Sequence, residues 1–450
     1  MSPNPRRGKA KAGSSVRVAV VRSLCRIDEG ESGSQEEVHV LAKQFKDSRD
    51  RGLATELLYS SLRYAPAFLR DLEKFLKRGV DKTNPKMVWC LILGMVQLRI
   101  LDRMPVHAAV GASVDAARAL CGASGSKLVN AILRRVQREM GERPDLPPPT
   151  ECYAPHLLRA FEELPFGDVE QAALAYLGRA PHVVRGLGEY YGEVSASLSL
   201  LEKAGIRGAA EGRVPGSIIL SSGGDALSKE FEGRWIPQDA ASQAVGRLAG
   251  TLAKELSGNS AKVLDVCAGR GVKTEQIRAI LGAEAQIVAA DRGKEKLQEA
   301  RRLVKADFFV GDMTRELPAM EGGFDLVFVD APCSGLGILR RRPEIRLRRS
   351  AEDLESLSIV QESILKNVSR ALRPGGILLY AVCTFTRAEG AYQAERFLQS
   401  EAGKGFERFE LPAPPEKAWA SSDGSWCTYD AVSGSQAADT FYAAGFRRKA

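Results

Sequence analysis

Three rhythms of apolar and polar positions succeed one another along the chain. From about residue 15 to residue 140 apolar residues recur at helical spacing. In "AFLRDLEKFLKR" Phe68, Leu69, Leu72, Phe75 and Leu76 share one face, and Arg70, Lys74 and Lys77 the other. In "SKLVNAILRRVQRE" the pattern places Leu128, Val129, Ile132, Leu133 and Val136 inside and Lys127, Arg134, Arg135 and Arg138 outside. This predicts a helical bundle with basic faces. The four prolines of "GERPDLPPPTE", residues 141 to 151, interrupt it. Between residues 152 and 245 the periodicity is mixed and predicts short helices with a few strands. From residue 261 short apolar runs, "AKVLDVCAGRG", "AQIVAAD", "ADFFVGD", "FDLVFVDAP" and "GGILLYAVCT", alternate with helix-like segments such as "EDLESLSIVQESILKNVSRAL". That alternation predicts an α/β fold with a parallel, doubly wound sheet. The expected division is a disordered leader over 1–14, a helical domain over 15–145, a mixed linking subdomain over 150–245 and the sheet domain over 246–450.

A chain of 450 residues is longer than one hydrophobic core usually serves. The longest apolar run, "MVWCLILGMV", is about half of the ~20 residues that span a bilayer. The first residues, "MSPNPRRGKAKAGSS", are basic without the apolar centre of a secretory signal, so a cytoplasmic location is expected. Eight scattered cysteines without a CxxC pair, and four histidines, read as neither a disulfide framework nor a metal site. Most of these thiols are expected to be reduced, small, buried hydrophobes.

The net charge of +8 is unevenly placed. Residues 1 to 150 carry 26 Lys+Arg against 16 Asp+Glu, and the remainder 38 against 40. A basic first third points to a polyanionic partner such as nucleic acid, although charge clusters also occur as plain solvated faces.

In an open α/β sheet, ligands bind beyond the carboxyl ends of the strands, where Asp265, Asp291, Asp312 and Asp330 fall. The first turn, "DVCAGRGVKT", fails two nucleotide motifs. A dinucleotide fingerprint starting at Gly269 and Gly271 needs glycine where Thr274 stands, and a P-loop needs glycine at Cys267 and Val272. What remains is a glycine-containing turn with an acid about 20 residues on. That suits an adenosine-containing cofactor without a pyrophosphate, and S-adenosylmethionine fits. Cysteine beside a methyl donor solves one chemical problem. Carbon 5 of a pyrimidine is too weak a nucleophile to be methylated directly, and thiolate addition at carbon 6 activates it. One cysteine must attack and a second group must help release the product.

The motifs "DVCAGRGVKT", "DAPCSGLGILRRRPEIRLRR", "LSIVQESIL", "LRPGGILLYAVCT" and "DTFYAAGFRR" closely resemble the RNA cytosine-C5 methyltransferases. "MPVHAAVGASVDAARAL" and "KLVNAILRRVQRE" resemble the NusB-type RNA-binding domain attached to the RsmB (Sun, Fmu) branch, and "GRWIPQDAASQ" resembles the segment leading into the catalytic sheet. The resemblance implies a Rossmann-like class I S-adenosylmethionine-dependent methyltransferase domain behind a NusB-like bundle. It implies methylation of carbon 5 of one cytosine in small-subunit (16S) ribosomal RNA, with free RNA or an early assembly intermediate as the expected partner; a monomer with no metal and no membrane contact is expected.

It further implies that Cys383 is the nucleophile and that Cys333 assists release. Cys267, Ala268, Gly269, Arg270, Gly271, Val272 and Lys273 would wrap the methionine part of the cofactor, Asp291 would hold its ribose and Asp312 would lie near its adenine. Asp330 would lie between cofactor and target base. "LRRRPEIRLRR" becomes a candidate phosphate-contacting loop, or else a solvated positive one. The chain departs from the family's Ala-Ala-Pro-Gly-Gly-Lys turn at Gly269, Arg270 and Val272, and Val272 is expected to restrict that turn. Val382 replaces the usual threonine before the nucleophile, and Gly390 replaces the asparagine after Glu389. The alternatives are a non-catalytic RNA-binding or ribosome-assembly protein with a decayed cofactor turn, and a transfer RNA cytosine-C5 methyltransferase.

Overall fold

The computed structural model describes residues 10–101, 104–141, 144–164, 168–204, 206, 209–221, 233–317, 323–429 and 438–450. Two compact units divide the chain. The first runs to Arg159 and adds Val169–Leu177 and Leu339–Arg348; the second comprises Ala160–Asp168, Gly178–Ile338 and Arg349–Ala450.

Helices α1 (Ala10–Asp28), α2 (Ser34–Gln44), α3 (Ser48–Phe75), α4 (Pro85–Arg99) and α5 (Val106–Met140) build the first unit. Of the expected leader, residues 1–9 lie outside the described residues. Residues 10–14 form the first turn of α1. Asp47 starts α3 by accepting the Arg49 N–H at 2.7 Å. Asn84 likewise accepts from Lys86 ahead of α4, with Pro85 at the first helical position. Helix α4 is buried from Val88 through Leu98, so "MVWCLILGMV" forms a central helix. Helix α5 breaks at Gly122, whose φ of 75° lies outside the helical region. Phe68, Leu72, Val129, Leu133 and Val136 are buried as their spacing predicts. Arg135 departs from its predicted exposure, because its guanidinium sits 5.2 Å over the Phe75 ring.

After α6 (Pro155–Phe161) and α7 (Val169–Leu177), the second unit opens with a small antiparallel sheet. It contains β1 (His182–Gly186), β2 (Ala209–Glu211), β3 (Ser217–Leu220) and β4 (Trp235–Pro237) in the order β2-β3-β1-β4, with α8 (Val194–Lys203) between β1 and β2. Val184, Leu201, Ile218, Leu220 and Trp235 form its core.

The larger sheet follows α9 (Ala240–Ser257). It alternates β5 (Lys262–Val266), α10 (Val272–Leu281), β6 (Gln286–Asp291), α11 (Lys294–Leu303), β7 (Asp307–Val310) and β8 (Phe324–Asp330). Beyond an arginine-rich segment holding α12 (Ile345–Arg348) come α13 (Ala351–Val368), β9 (Leu372–Val382), α14 (Ala391–Gln399), β10 (Phe406–Phe409), β11 (Trp426–Cys427) and β12 (Tyr442–Arg448). The strand order is β10-β12-β9-β8-β5-β6-β7, with β9 to β7 mutually parallel. Alternate residues of each strand serve two cores. Val263, Leu326, Phe328, Ile377 and Leu379 pack with α9 and α10, while Leu264, Val327, Val329, Leu378 and Tyr380 pack with α13 and α14. The edge the spacing did not predict is antiparallel: β12 lies between β9 and β10.

The segment "LRRRPEIRLRR" is not an exposed loop. None of its six arginines is exposed; Arg340 and Arg346 are buried. Within the first unit, Arg346 donates to Leu339 O, Tyr153 Oη and Tyr176 O at 3.1, 3.1 and 2.5 Å. Arg348 donates to Ile27 O and Ser32 O, and Glu344 accepts the Ser34 N–H. The donors of Arg346 and Arg348 are consumed inside the protein, which takes these two arginines out of the expected phosphate-contacting set. No helix among the described residues is long and apolar enough to cross a membrane.

Candidate active site

The parallel strands end on one edge, and the switch in strand order between β5 and β8 opens a crevice there. A cavity of about 380 Å³ occupies it, lined on its polar side by Cys267, Gly269, Asp291, Asp312 and Asp330. Met313, Pro332, Val360 and Ile364 supply the apolar wall. Asp291, the last residue of β6, is fixed by two backbone donors, Gly269 N–H at 2.9 Å and Gly293 N–H at 2.7 Å. The turn after β5 is thereby stitched to the end of β6. Hydrogen bonds from Thr314 hold the Asp312 carboxyl below its usual range.

Backbone strain in this turn falls elsewhere than expected. Val272 begins α10 and has helical geometry, whereas Cys267 takes a left-handed φ of 62°. Gly271 has φ 79°, and a Cβ there would collide with Ala300, so only glycine fits. Ala268, Arg270, Gly271, Val272 and Lys273 belong to the turn without lining the cavity. Arg270 pairs with Glu299 at 2.9 Å. Lys273 pairs with Asp330 at 2.7 Å. Burial works against the Lys273 charge, but Asp330 more than offsets it and the ammonium's pKa is raised; Cys383 contributes in the same direction.

The two cysteines that lie fifty positions apart in sequence meet here. Cys333 follows the end of β8 and Cys383 follows the end of β9, and their Sγ atoms are 3.1 Å apart. Both are half-buried, as are Cys121, Cys267 and Cys427; Cys25, Cys90 and Cys152 alone are buried. Most of the thiols are therefore not core residues. Contact with Cys383, then burial, pushes the Cys333 thiol well above its ordinary pKa.

A buried carboxylate that no pattern singled out for chemistry braces both loops. Glu389 Oε1 accepts from Ser334 N–H at 2.7 Å and Gln361 Nε2 at 3.0 Å, and Oε2 accepts from Thr386 Oγ1 at 3.0 Å. Gln361 also donates to Pro332 O, and Tyr380 Oη donates to Glu389 O. The residues on either side of Cys333 are thus tied to the loop carrying Cys383. Ser334 to Thr384, at 2.9 Å, is a second tie. Asp265 is the remaining strand-end acid. It is buried beneath the turn, accepts from Thr274 Oγ1 at 2.5 Å on one oxygen, and has no partner on the other.

The donor set fits S-adenosylmethionine. Asp291 keeps lone pairs for ribose hydroxyls, the apolar wall suits a purine, and the cavity has the size of small-ligand sites. A sheet with this order, an antiparallel strand beside β9 and an acid closing β6 over a glycine turn defines a Rossmann-like S-adenosylmethionine-dependent methyltransferase.

Comparison with known proteins narrows the class. Residues 253–447 match the model of the 16S rRNA methyltransferase RsmB/F family, and residues 14–138 match the NusB family. The ribosomal RNA small subunit methyltransferase B of Xylella fastidiosa (strain 9a5c) is 34% identical over 382 residues, 83% of this chain and 87% of that one. The probable ribosomal RNA small subunit methyltransferase B of Synechocystis is 32% identical over 81% of this chain and 84% of its own length. Among solved structures, PH0851 superposes with a TM-score of 0.80 at 18% identity over 100% of both chains. NSun6 from Pyrococcus horikoshii superposes with a TM-score of 0.51 at 15% identity, covering 66% of this chain and 98% of that one. The chain belongs to the RsmB family of ribosomal RNA small-subunit methyltransferases.

Proposed function

We propose that the chain methylates carbon 5 of a cytosine in 16S ribosomal RNA through a transient bond to Cys383. The observation that carries this reading is the pair of thiols, 3.1 Å apart, at the ends of adjacent parallel strands beside the crevice. S-adenosylmethionine supplies the electrophilic methyl group. Cys383 Sγ adds to carbon 6 of the base, which makes carbon 5 nucleophilic. After carbon 5 is methylated, its proton leaves and the C6–S bond breaks, restoring the aromatic base and the thiolate.

The division of labour between the cysteines has physical support. Contact with Cys383, then burial, raises the pKa of the Cys333 thiol, which is compatible with a partner that assists release. Lys273 stays charged beside Asp330 and interacts electrostatically with Cys383, whose sulfur must carry negative charge. Asp330 lines the crevice, and in this reading its carboxylate hydrogen-bonds the polar edge of the base. Val272 opens α10 in helical geometry, which supports a working cofactor turn over a decayed one. A target base must be unstacked to reach the crevice, so the substrate is an exposed nucleotide in RNA of the small subunit.

The test is Cys383→Ala against Cys333→Ala, with tritiated methyl donor and 16S RNA. Cys383→Ala is expected to lose transfer, and Cys333→Ala to stall as a covalent protein–RNA adduct visible on a denaturing gel. Sustained turnover in Cys383→Ala would overturn the assignment.

A further inference from the structure

A second cavity, about 570 Å³, lies in the first unit where the end of α3, the turn before α4 and the second half of α5 come together. Its accessible apolar wall is Met87, Leu128 and Ala131, all only partly covered. Around the rim stand Lys77, Arg78, Lys82 and Arg138, exposed and without an ion pair among the described residues. Among the described residues no carboxylate lines the cavity. Two other cations of this unit are neutralised, Arg26 by Glu37 at 2.5 Å and Arg99 by Asp71 at 2.9 Å, whereas Lys43, Lys46 and Lys127 are exposed like those of the rim but do not line the cavity.

We propose that this cavity binds one unstacked nucleotide of single-stranded RNA, its base against the apolar wall and its flanking phosphates on the rim. Three features favour that occupant. Four unneutralised cations attract a polyanion. A concave apolar wall within such a rim is of no use to a duplex, whose bases are stacked inside, but accepts a base turned out of a loop. Arg135, half-buried in the lining, is already held over Phe75 and tied to Glu139 at 2.6 Å. A guanidinium ordered in advance offers a planar surface for a base with little further loss of freedom. The inference rests on RNA being the substrate, and it adds a second nucleotide subsite on the helical unit that is independent of the chemistry at Cys383.

The experiment measures binding of the full chain, without methyl donor, to a labelled oligouridine, with an RNA duplex and oligoglutamate as competitors. Ala131→Trp fills the cavity at an exposed position without changing charge. It is expected to weaken oligouridine binding about tenfold, with duplex binding and the salt slope unchanged. The double variant Lys82→Ala/Arg138→Ala is expected to make the log–log salt dependence shallower by about 1.4. Both variants should bind S-adenosylmethionine as the parent does, which reports an intact fold. Unaltered oligouridine affinity in Ala131→Trp would overturn the proposal, and so would oligoglutamate competing as well as oligouridine, which would mark an acidic protein partner. Because no methyl transfer is read, failure here is distinct from activity persisting in Cys383→Ala.

Discussion

Two regions of this chain are rich in cations, and they behave oppositely. Between residues 340 and 349 six arginines crowd into ten positions, yet none is exposed, and Arg346 and Arg348 spend their donors on carbonyl and hydroxyl oxygens of the first unit. Around the cavity at the end of α3 the charges are sparser in sequence, yet Lys77, Arg78, Lys82 and Arg138 stand in solvent without ion pairs among the described residues. Local charge density therefore misreports availability. A guanidinium has five donors in a fixed fork and is well suited to gathering backbone carbonyls inside a protein, whereas a phosphate site needs donors left over.

The difference can be broken at graded cost. Arg346→Ala should have the largest effect, leaving Tyr176 O and Tyr153 Oη without their donor and destabilising the first unit by about 3 kcal/mol in urea melts. It should leave the salt slope of RNA binding unchanged. If that slope instead became shallower, the arginine segment would contact phosphate after all. Glu389→Ala removes the acceptor shared by Ser334, Gln361 and Thr386, and should lower kcat at least tenfold while the affinity for S-adenosylmethionine holds. A change confined to KM for RNA would show that Glu389 does not position the cysteines.

Asp265 gives a buried charge a pH signature. Burial, opposed in part by Thr274, raises its pKa from 3.8 to about 7. The folded chain binds this proton more tightly than the unfolded one, so the associated stability is full below about pH 4 and is lost as pH rises to about 7. The change is at most about 4 kcal/mol. Asp265→Asn should flatten that fall in melts taken at successive pH values; an undiminished slope would assign it to other groups. At the small end, Lys77→Ala should shift stability by less than about 0.5 kcal/mol, as expected for an exposed side chain. A larger loss would mean that this rim cation packs rather than waits for a ligand.

Much was legible from pattern. The helical period of α3 and α5, the five parallel strands and the acids closing β6 and β8 are read from spacing, because side-chain direction repeats every 3.6 or 2 residues and glycine turns mark strand ends. The thiol pair was legible only through resemblance. Spacing placed each cysteine at a strand end but could not say that β8 and β9 are neighbours. Glu389 had no signal beyond its place after the second cysteine, and "DTFYAAGFRR", which holds β12, marked the family without showing that this strand runs antiparallel beside β9.

The sequence by itself determined which segments form helix and strand, where each functional loop begins and which residue types those loops carry. Tertiary structure alone decided which charges face water, that Cys333 and Cys383 touch, and that Lys273 pairs with Asp330. The reason is range. Periodicity and turn chemistry act within a few residues, whereas partnership between groups dozens to hundreds of positions apart depends on strand order and on which donors the packed core has already taken.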